Sequence, residues 1–495
     1  MSRPQICFVT SEVAPYAKTG GLGDVCAALP KALARLGHRV RVFLPLYTSA
    51  RKAAGAAEVV ETARDVPVTL GDGAYTFTLR RTTLQDSEAE LYLIDCPALY
   101  DRATIYTEDP DEHRRFLLLS RAALEGCRRL RWAPDILHVH DWHASFLPLH
   151  LHTVDRWDRL FDGTKTVLTI HNLGHQGAFS SAILEDTWMG GSAHLLDRDD
   201  LAAGRINFLK TGILYADAIT TVSPTYAQEI QTPEHGMGLD PYLRGRSGSL
   251  VGILNGVDYN EWSPRSDRHI PFHYSPASFW RKEKNKAELL SAMGLSYSPR
   301  VPVLGIVTRL SAQKGLDLVE HALPGILRTR DIRFVALGSG EPRYAEMLRR
   351  MQEAFPGKVT FYDGFQEPLA HLIEAGSDIF LMPSRYEPCG LNQMYSLKYG
   401  TVPIVRRTGG LADTVEPYDP RTGRGTGFVF EHYTPEGLRW AIELALEAFR
   451  DHEAWVRLGL AGMEKDFSWE KQAGEYVQLY ARVGSGATAR EGVPG

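Results

Sequence analysis

Arg309 and Lys314 stand five residues apart in TRLSAQKGLD (308–317), at the end of an apolar run and beside Gly315. Two cations and a flexible glycine at a strand-to-helix junction can clamp a diphosphate and neutralise the charge that develops as it leaves. An Arg/Lys pair is more commonly a solvated surface pair; its place at a strand end favours the clamp. In SRYEPCGLNQMYSLKYG (384–400), Glu387 precedes Pro388, and Cys389, Gly390 and Leu391 follow at a helix start. A carboxylate there can accept from sugar hydroxyls and face developing positive charge, while the next amides donate. The plain alternative is a surface-loop glutamate, but the flanking Pro and Gly argue for an arranged loop.

DILHVHDWHASF (135–146) concentrates His138, His140, Asp141 and His143. These types can ligate a metal, but no H-E-x-x-H or cysteine set accompanies them, and a polar rim for a sugar is the preferred reading. TIHNLGHQGAF (169–179) ends a strand at His171, with Gly174 and Gly177 beyond it. A lone strand-end histidine is usually structural, yet the carboxyl edge of a parallel sheet is where ligands bind.

T-G-G-L-x-D occurs twice, in KTGGLGDV (18–25) and RTGGLADTV (407–415). Each is expected just after a strand and just before a helix, where backbone amides can receive an anion and glycine allows close approach. Neither is G-x-G-x-x-G, so a nicotinamide site is not indicated. Each alone could be a tight turn; together they suggest two sheets facing across a cleft, each offering a glycine turn.

The elements that must position these residues form two series. ICFVTSE (6–12), a helix ending at Gly37, and RVFLPL (41–46) make one βαβ unit, with Pro30 expected to kink the helix. ELYLID (90–95), DILHVHD (135–141), TKTVLTIHN (164–172) and DAITTVS (217–223) continue it, and the alternation is that of a parallel sheet. After LNGVD (254–258) a polar stretch precedes a restart at PVLGIVTRL (302–310), followed by IRFVALGSG (332–340), VTFYDGF (359–365), DIFLMPS (378–384) and TVPIVRRTGG (401–410). Ser468 is a good N-cap for a last helix.

A chain of 495 residues exceeds what one core supports, so two α/β domains are expected: 1–256 with a returning helix at 469–483, and 257–468. Hinges are expected near 256–262 and 465–470. The net charge of −5 argues against nucleic acid as the main partner. No apolar run is long enough for a membrane span, and MSRPQICFVTSE is too short for a secretory signal. Five scattered cysteines without a C-x-x-C pair suit a reducing cytoplasm.

Taken in order, KTGGLGDV, HDWH, HNLGHQG, INFLKTGILYADAITTVSPTYA, LNGVD, TRLSAQKGLD, PSRYEPCGLNQ and YGTVPIVRRTGGLADTV resemble the bacterial glycogen synthase and plant starch synthase family over nearly the whole chain. The resemblance implies two facing Rossmann-like, doubly wound domains of GT-B type with a cleft between them. It implies glucose transfer, with retention, from ADP-glucose to the non-reducing 4-hydroxyl of an α-1,4-glucan such as glycogen or a maltooligosaccharide. Lys18, Gly20 and Gly21 would approach the sugar nucleotide from the first domain, and Arg309 with Lys314 would hold the diphosphate from the second. Asp141, His171 and Asn255 would line the glucose and acceptor side. Glu387 would stabilise the oxocarbenium-like transition state, near the amides of Cys389, Gly390 and Leu391. Thr408, Gly409 and Gly410 would face the phosphates, and Tyr100 resembles a residue near the sugar-binding cleft. No cofactor and no catalytic metal are implied.

Two departures stand out: Phe365 replaces a tyrosine that stacks on the base in many relatives, and Asn392 replaces a threonine found in some. A sibling transferase using another nucleotide sugar or a small acceptor such as fructose is the nearest rival. A non-catalytic glucan-binding scaffold and a phosphorylase are the others; an intact Lys18, Arg309, Lys314 and Glu387 disfavour the scaffold, and a nucleotide-like site disfavours the phosphorylase.

Overall fold

The computed structural model describes residues 3–54 and 59–485. The chain divides into two compact units, Met1–Gly256 with Trp469–Gly495, and Val257–Ser468.

Unit 1 is built on a nine-stranded sheet. Its strands are β1 (Gln5–Val9), β2 (Arg39–Pro45), β3 (Val60–Leu70), β4 (Gly73–Thr83), β5 (Glu90–Asp95), β6 (Ile136–His140), β7 (Lys165–Ile170), β10 (Ala218–Thr221) and β11 (Leu250–Gly252), in the order β11-β10-β7-β6-β1-β2-β5-β4-β3. β8 (Ala178–Ser180) and β9 (Arg205–Asn207) form a separate antiparallel pair. The central strands read as almost continuous apolar runs because both faces are covered: ICFV of β1 and ILHVH of β6 are buried throughout.

The sheet is mixed rather than parallel throughout. β3 and β4 pair antiparallel, and β4 pairs antiparallel with β5. The cause is the tight reversal at Gly71-Asp72-Gly73: a loop this short joins strands only in antiparallel sense. Register shifts between Glu61 and Val66 distort this edge strand.

The helix Gly21–Arg35 carries Pro30 in its buried face and continues through it as a single helix. Trp469–Gly484 adds Trp469, Ala473, Tyr476, Leu479, Tyr480 and Val483 to the unit 1 core. Tyr480 is tied to β6 through His138, whose Nδ1 lies 2.8 Å from the phenol oxygen.

Unit 2 has a six-stranded, all-parallel sheet: β12 (Val303–Val307), β13 (Arg333–Gly338), β14 (Val359–Asp363), β15 (Ile379–Met382), β16 (Val402–Arg406) and β17 (Phe428–Phe430), ordered β14-β13-β12-β15-β16-β17. Helices cover both faces, one core containing Leu304, Phe334, Ile404 and Leu438 and another containing Leu289, Val335, Phe380 and Val405. Strand order reverses between β12 and β15, and in such sheets ligands bind at the carboxyl ends of the strands flanking the reversal. The loops holding Arg309, Lys314 and Glu387 leave the carboxyl ends of those two strands.

Candidate active site

In unit 1 the KTGG turn does not follow β1 directly. Residues 10–20 intervene, and the helix starts at Gly21 with Gly20 as its N-cap. What shapes that loop is Glu12, a residue that sequence reading passed over at the end of a strand-like run. Its carboxylate is only 2% exposed. It accepts from the Thr19 amide (2.7 Å), the Thr19 hydroxyl (2.6 Å), the Gly20 amide (3.2 Å) and the Tyr106 hydroxyl (2.6 Å). A buried carboxylate is tolerable only when satisfied in this way. No described atom comes within 4 Å of a Cβ built on Gly20 or Gly21, so this side of the turn is open to a ligand. Lys18 pairs with Asp24 at 2.7 Å, with half of its side chain exposed. Such a pair is worth about 0–1 kcal/mol and gives way readily to a stronger anion.

The Glu12 network continues through the Tyr106 ring, which stacks on His143 at 4.8 Å. Asp141 follows β6 at φ +51° and opens the short helix Asp141–Ala144. Its Oδ1 accepts from the His171 amide at 2.7 Å. Burial pushes this carboxyl up to about 7, against the opposing pull of the His171 and Asn172 amides. His171 Nε2 lies 3.0 Å from His140 Nδ1, and burial holds His171 at about 3, a neutral imidazole.

Asn255 is buried, and its Oδ1 has no hydrogen-bond partner among the described residues; the same holds for His140 Nε2 and His143 Nδ1. Polar atoms of this kind are costly unless something satisfies them. His138 is spent on the fold between Tyr480 and Thr169. Tyr100 is closed off in the core, its hydroxyl donating to the Arg115 carbonyl at 2.8 Å, so it lies beneath this surface rather than lining it.

In unit 2, Glu387 is 5% exposed and both its oxygens are taken: Lys314 Nζ lies 2.9 Å from Oε1 and 2.7 Å from Oε2, and the Ser384 hydroxyl donates to Oε2 at 2.8 Å. The lysine reaches it from a 3-10 turn, Ala312–Lys314, closed by Gly315 at φ +72°. A Cβ on Gly315 would sit 2.0 Å from the Pro383 carbonyl, so glycine alone lets the two loops meet. Arg309 is exposed and makes no ion pair among the described residues.

The second TGGL turn caps the helix Gly409–Thr414, with Thr408 as its buried N-cap. Its glycines serve a different purpose from those of the first. A Cβ on Gly409 would fall 2.0 Å from the Glu387 carbonyl, one on Gly410 2.1 Å from that of Cys389, and the Gly410 amide donates to the Glu387 carbonyl at 3.1 Å. The turn therefore sets the EPCGL loop. Cys389 is buried, Gly390 takes φ +72°, and Leu391 caps the helix Asn392–Tyr399. The Asn392 amide group donates to the Val307 carbonyl at 2.8 Å, locking this helix to the end of β12. Phe365, just beyond β14, is 72% exposed and free to stack.

Two Rossmann-like α/β units in one chain are the architecture of the two-domain glycosyltransferases, and the family matches of both units place the chain in that class. The starch synthase catalytic domain family matches residues 5–245, and glycosyl transferases group 1 matches residues 298–458. The chain belongs to the glycogen synthase and starch synthase family. The glycogen synthase of Koribacter versatilis is 47% identical over 97% of this chain and 98% of its own length. That of Anaeromyxobacter sp. strain K is 46% identical over 96% and 99%. Among solved structures, the catalytic domain of starch synthase IV from Arabidopsis thaliana, bound to ADP and acarbose, matches with a TM-score of 0.86 and 34% identity, covering 98% of this chain and all of that one. Sucrose-phosphate synthase from Thermosynechococcus elongatus shares the fold, with a TM-score of 0.59 at 17% identity over 98% of this chain.

Proposed function

We propose that this glucosyltransferase moves glucose from ADP-glucose, with retention, onto the non-reducing 4-hydroxyl of an α-1,4-glucan such as glycogen or a maltooligosaccharide, and acts in the cytoplasm. Family membership supports the glucan product, and the ADP and acarbose in the starch synthase IV structure support the pairing of an adenine nucleotide with a glucan-like ligand. No helix among the described residues is long and apolar enough to cross a membrane.

The observation that carries the reading is the Lys314–Glu387 pair at the carboxyl edge of unit 2. Unit 2 is the nucleotide-sugar side. Arg309 and Lys314 hold the diphosphate, and the turn at Thr408, Gly409 and Gly410, expected to face the phosphates itself, acts on that side by setting the Glu387 loop. Glu387 opposes the positive charge developing on the sugar, the amides of Cys389, Gly390 and Leu391 meet its hydroxyls, and Phe365 stacks on the base. Unit 1 is the acceptor side. Asp141, His171 and Asn255 meet sugar hydroxyls, and Lys18, Gly20 and Gly21 approach the donor.

A nucleoside diphosphate held by two cations is already a good leaving group, so the reaction calls for no cofactor and no catalytic metal. The candidate residues do not supply the paired acid and nucleophile of a two-carboxylate glycosidase. Retention therefore fits a front-face path in which the departing phosphate helps to deprotonate the incoming hydroxyl. The test is a comparison of donors: ADP-glucose should give faster incorporation into glycogen than UDP-glucose, and equal or reversed rates would remove ADP-glucose as the physiological donor.

A further inference from the structure

Unit 2 holds a histidine–glutamate–histidine cluster that shares no residue with the site described above. His269, Glu367 and His371 each offer one ligand atom, and these atoms all lie within 4.8 Å of one another. Glu367 and His371 are four residues apart on the helix Glu367–Gly376, so they share a face. His269 comes from the loop that follows Asp267.

His371 is fully buried, and its Nδ1 lies 2.8 Å from Asp267 Oδ2. Asp267 is itself 1% exposed and held in place by the Tyr399 hydroxyl and by the His269 amide at 2.8 Å. With Asp267 accepting a hydrogen bond from the His371 Nδ1–H, Nε2 is the nitrogen with a lone pair to offer. That Nε2 is buried and has no hydrogen-bond partner among the described residues. A carboxylate behind a histidine whose other nitrogen is free is the arrangement that orients metal-binding imidazoles. The ring plane is fixed as well: Trp262 stacks on His371 at 3.7 Å, and on its other side Trp262 stacks on Tyr395 at 3.9 Å.

We propose that His269, Glu367 and His371 bind a divalent transition-metal cation, zinc by donor set, with Asp267 as the supporting carboxylate. Two imidazoles and one carboxylate suit zinc far better than magnesium or calcium, which prefer all-oxygen shells. Binding draws the three ligand atoms inward to zinc's bond lengths of about 2.0–2.2 Å. The movement falls on His269, on a loop, and on Glu367, in the first turn of its helix, while His371 stays fixed. Arg268 Nε donates to His269 Nε2 at 3.2 Å, which puts a guanidinium charge beside the cluster that opposes a cation there.

The experiment uses the full-length chain, stripped with chelator and dialysed against zinc chloride. Metal content is measured by mass spectrometry, and cobalt(II) is titrated as a spectroscopic substitute. The wild type should retain a single equivalent of zinc and give the intense visible bands of low-coordinate cobalt. Glu367→Gln and His269→Ala, both away from the buried core of the cluster, should weaken binding at least about tenfold, while Arg268→Ala should tighten it. Metal-free melting curves of all variants should coincide with the wild type. Zinc retention by the wild type no greater than by Glu367→Gln/His269→Ala, or a cobalt spectrum unchanged between them, would overturn the site. Neither result bears on glucose transfer, which is assayed separately in the metal-free protein.

Discussion

Lys314 Nζ reaches both carboxylate oxygens of Glu387, at 2.9 and 2.7 Å, so the lysine assigned to the diphosphate is already engaged by the carboxylate assigned to the sugar. With side-chain exposures of 17% and 7%, the two are a largely buried pair, and losing one partner leaves the other charge uncompensated. Glu387→Gln should therefore separate binding from chemistry. Releasing Lys314 leaves ADP affinity unchanged or tighter, while kcat falls by about 10²–10³. ADP binding measured by calorimetry alongside initial rates checks this; an ADP affinity that falls together with kcat would contradict it.

The two TGGL turns make opposite predictions. Gly21→Ala adds a methyl where no described atom lies within 4 Å, at the first turn of a helix, so the variant should be as stable as the wild type or slightly more so. Any loss of activity then reports on the substrate. Gly409→Ala, at φ +44° with the Glu387 carbonyl 2.0 Å from the new atom, should lower stability by about 1–2 kcal/mol or more. That corresponds to several degrees in Tm. Equal melting temperatures for the two variants would contradict this difference.

Much of this arrangement was legible in the sequence. β5 spans the same residues as the ELYLID run that predicts it, and the strands that lead into the segments holding Asp141, His171, Arg309 and Glu387 follow from apolar runs bounded by turn residues. The β3–β4 hairpin was missed although Gly71-Asp72-Gly73 is a strong turn signal, because its strands lack long apolar runs. Glu12 was missed for a different reason. Its importance comes from Thr19, Gly20 and Tyr106, the last of them 94 positions away, and no local pattern reports such a contact. Tyr100 stands in a short motif, ALYDR, but only the packing shows its hydroxyl spent on Arg115. Nor does the repeated TGGL reveal that its second copy serves the Glu387 loop.

Asp141 should give unit 1 a distinctive pH dependence. Burial raises its carboxyl from 3.8 to about 7, so the folded state keeps a proton that the unfolded chain releases. The stability it contributes is fully present below the unfolded value and is lost as pH rises through about 7. Asp141→Asn keeps the oxygen that accepts from His171 and suits the positive φ. Its stability relative to the wild type should therefore rise between about pH 5 and pH 8. His171 runs the other way: with its folded value near 3, its contribution is present above 6.5 and lost as pH falls. Denaturant titrations at the two pH values check the Asp141 effect, and a pH-independent difference would contradict it.

Phe365 is exposed, so truncating it should cost the fold little, within about 0.5 kcal/mol. Loss of base stacking in Phe365→Ala should raise the KM for ADP-glucose about tenfold or more, with Phe365→Tyr close to the wild type. A KM unchanged in the alanine variant would place the base elsewhere.

The central claim is tested most directly by following labelled glucose from ADP-glucose into glycogen with the wild type and Glu387→Ala side by side, each shown to be folded. Robust transfer by the wild type and a loss of at least about a hundredfold in the variant is the predicted result. No transfer by the folded wild type, or undiminished transfer by Glu387→Ala, would contradict it.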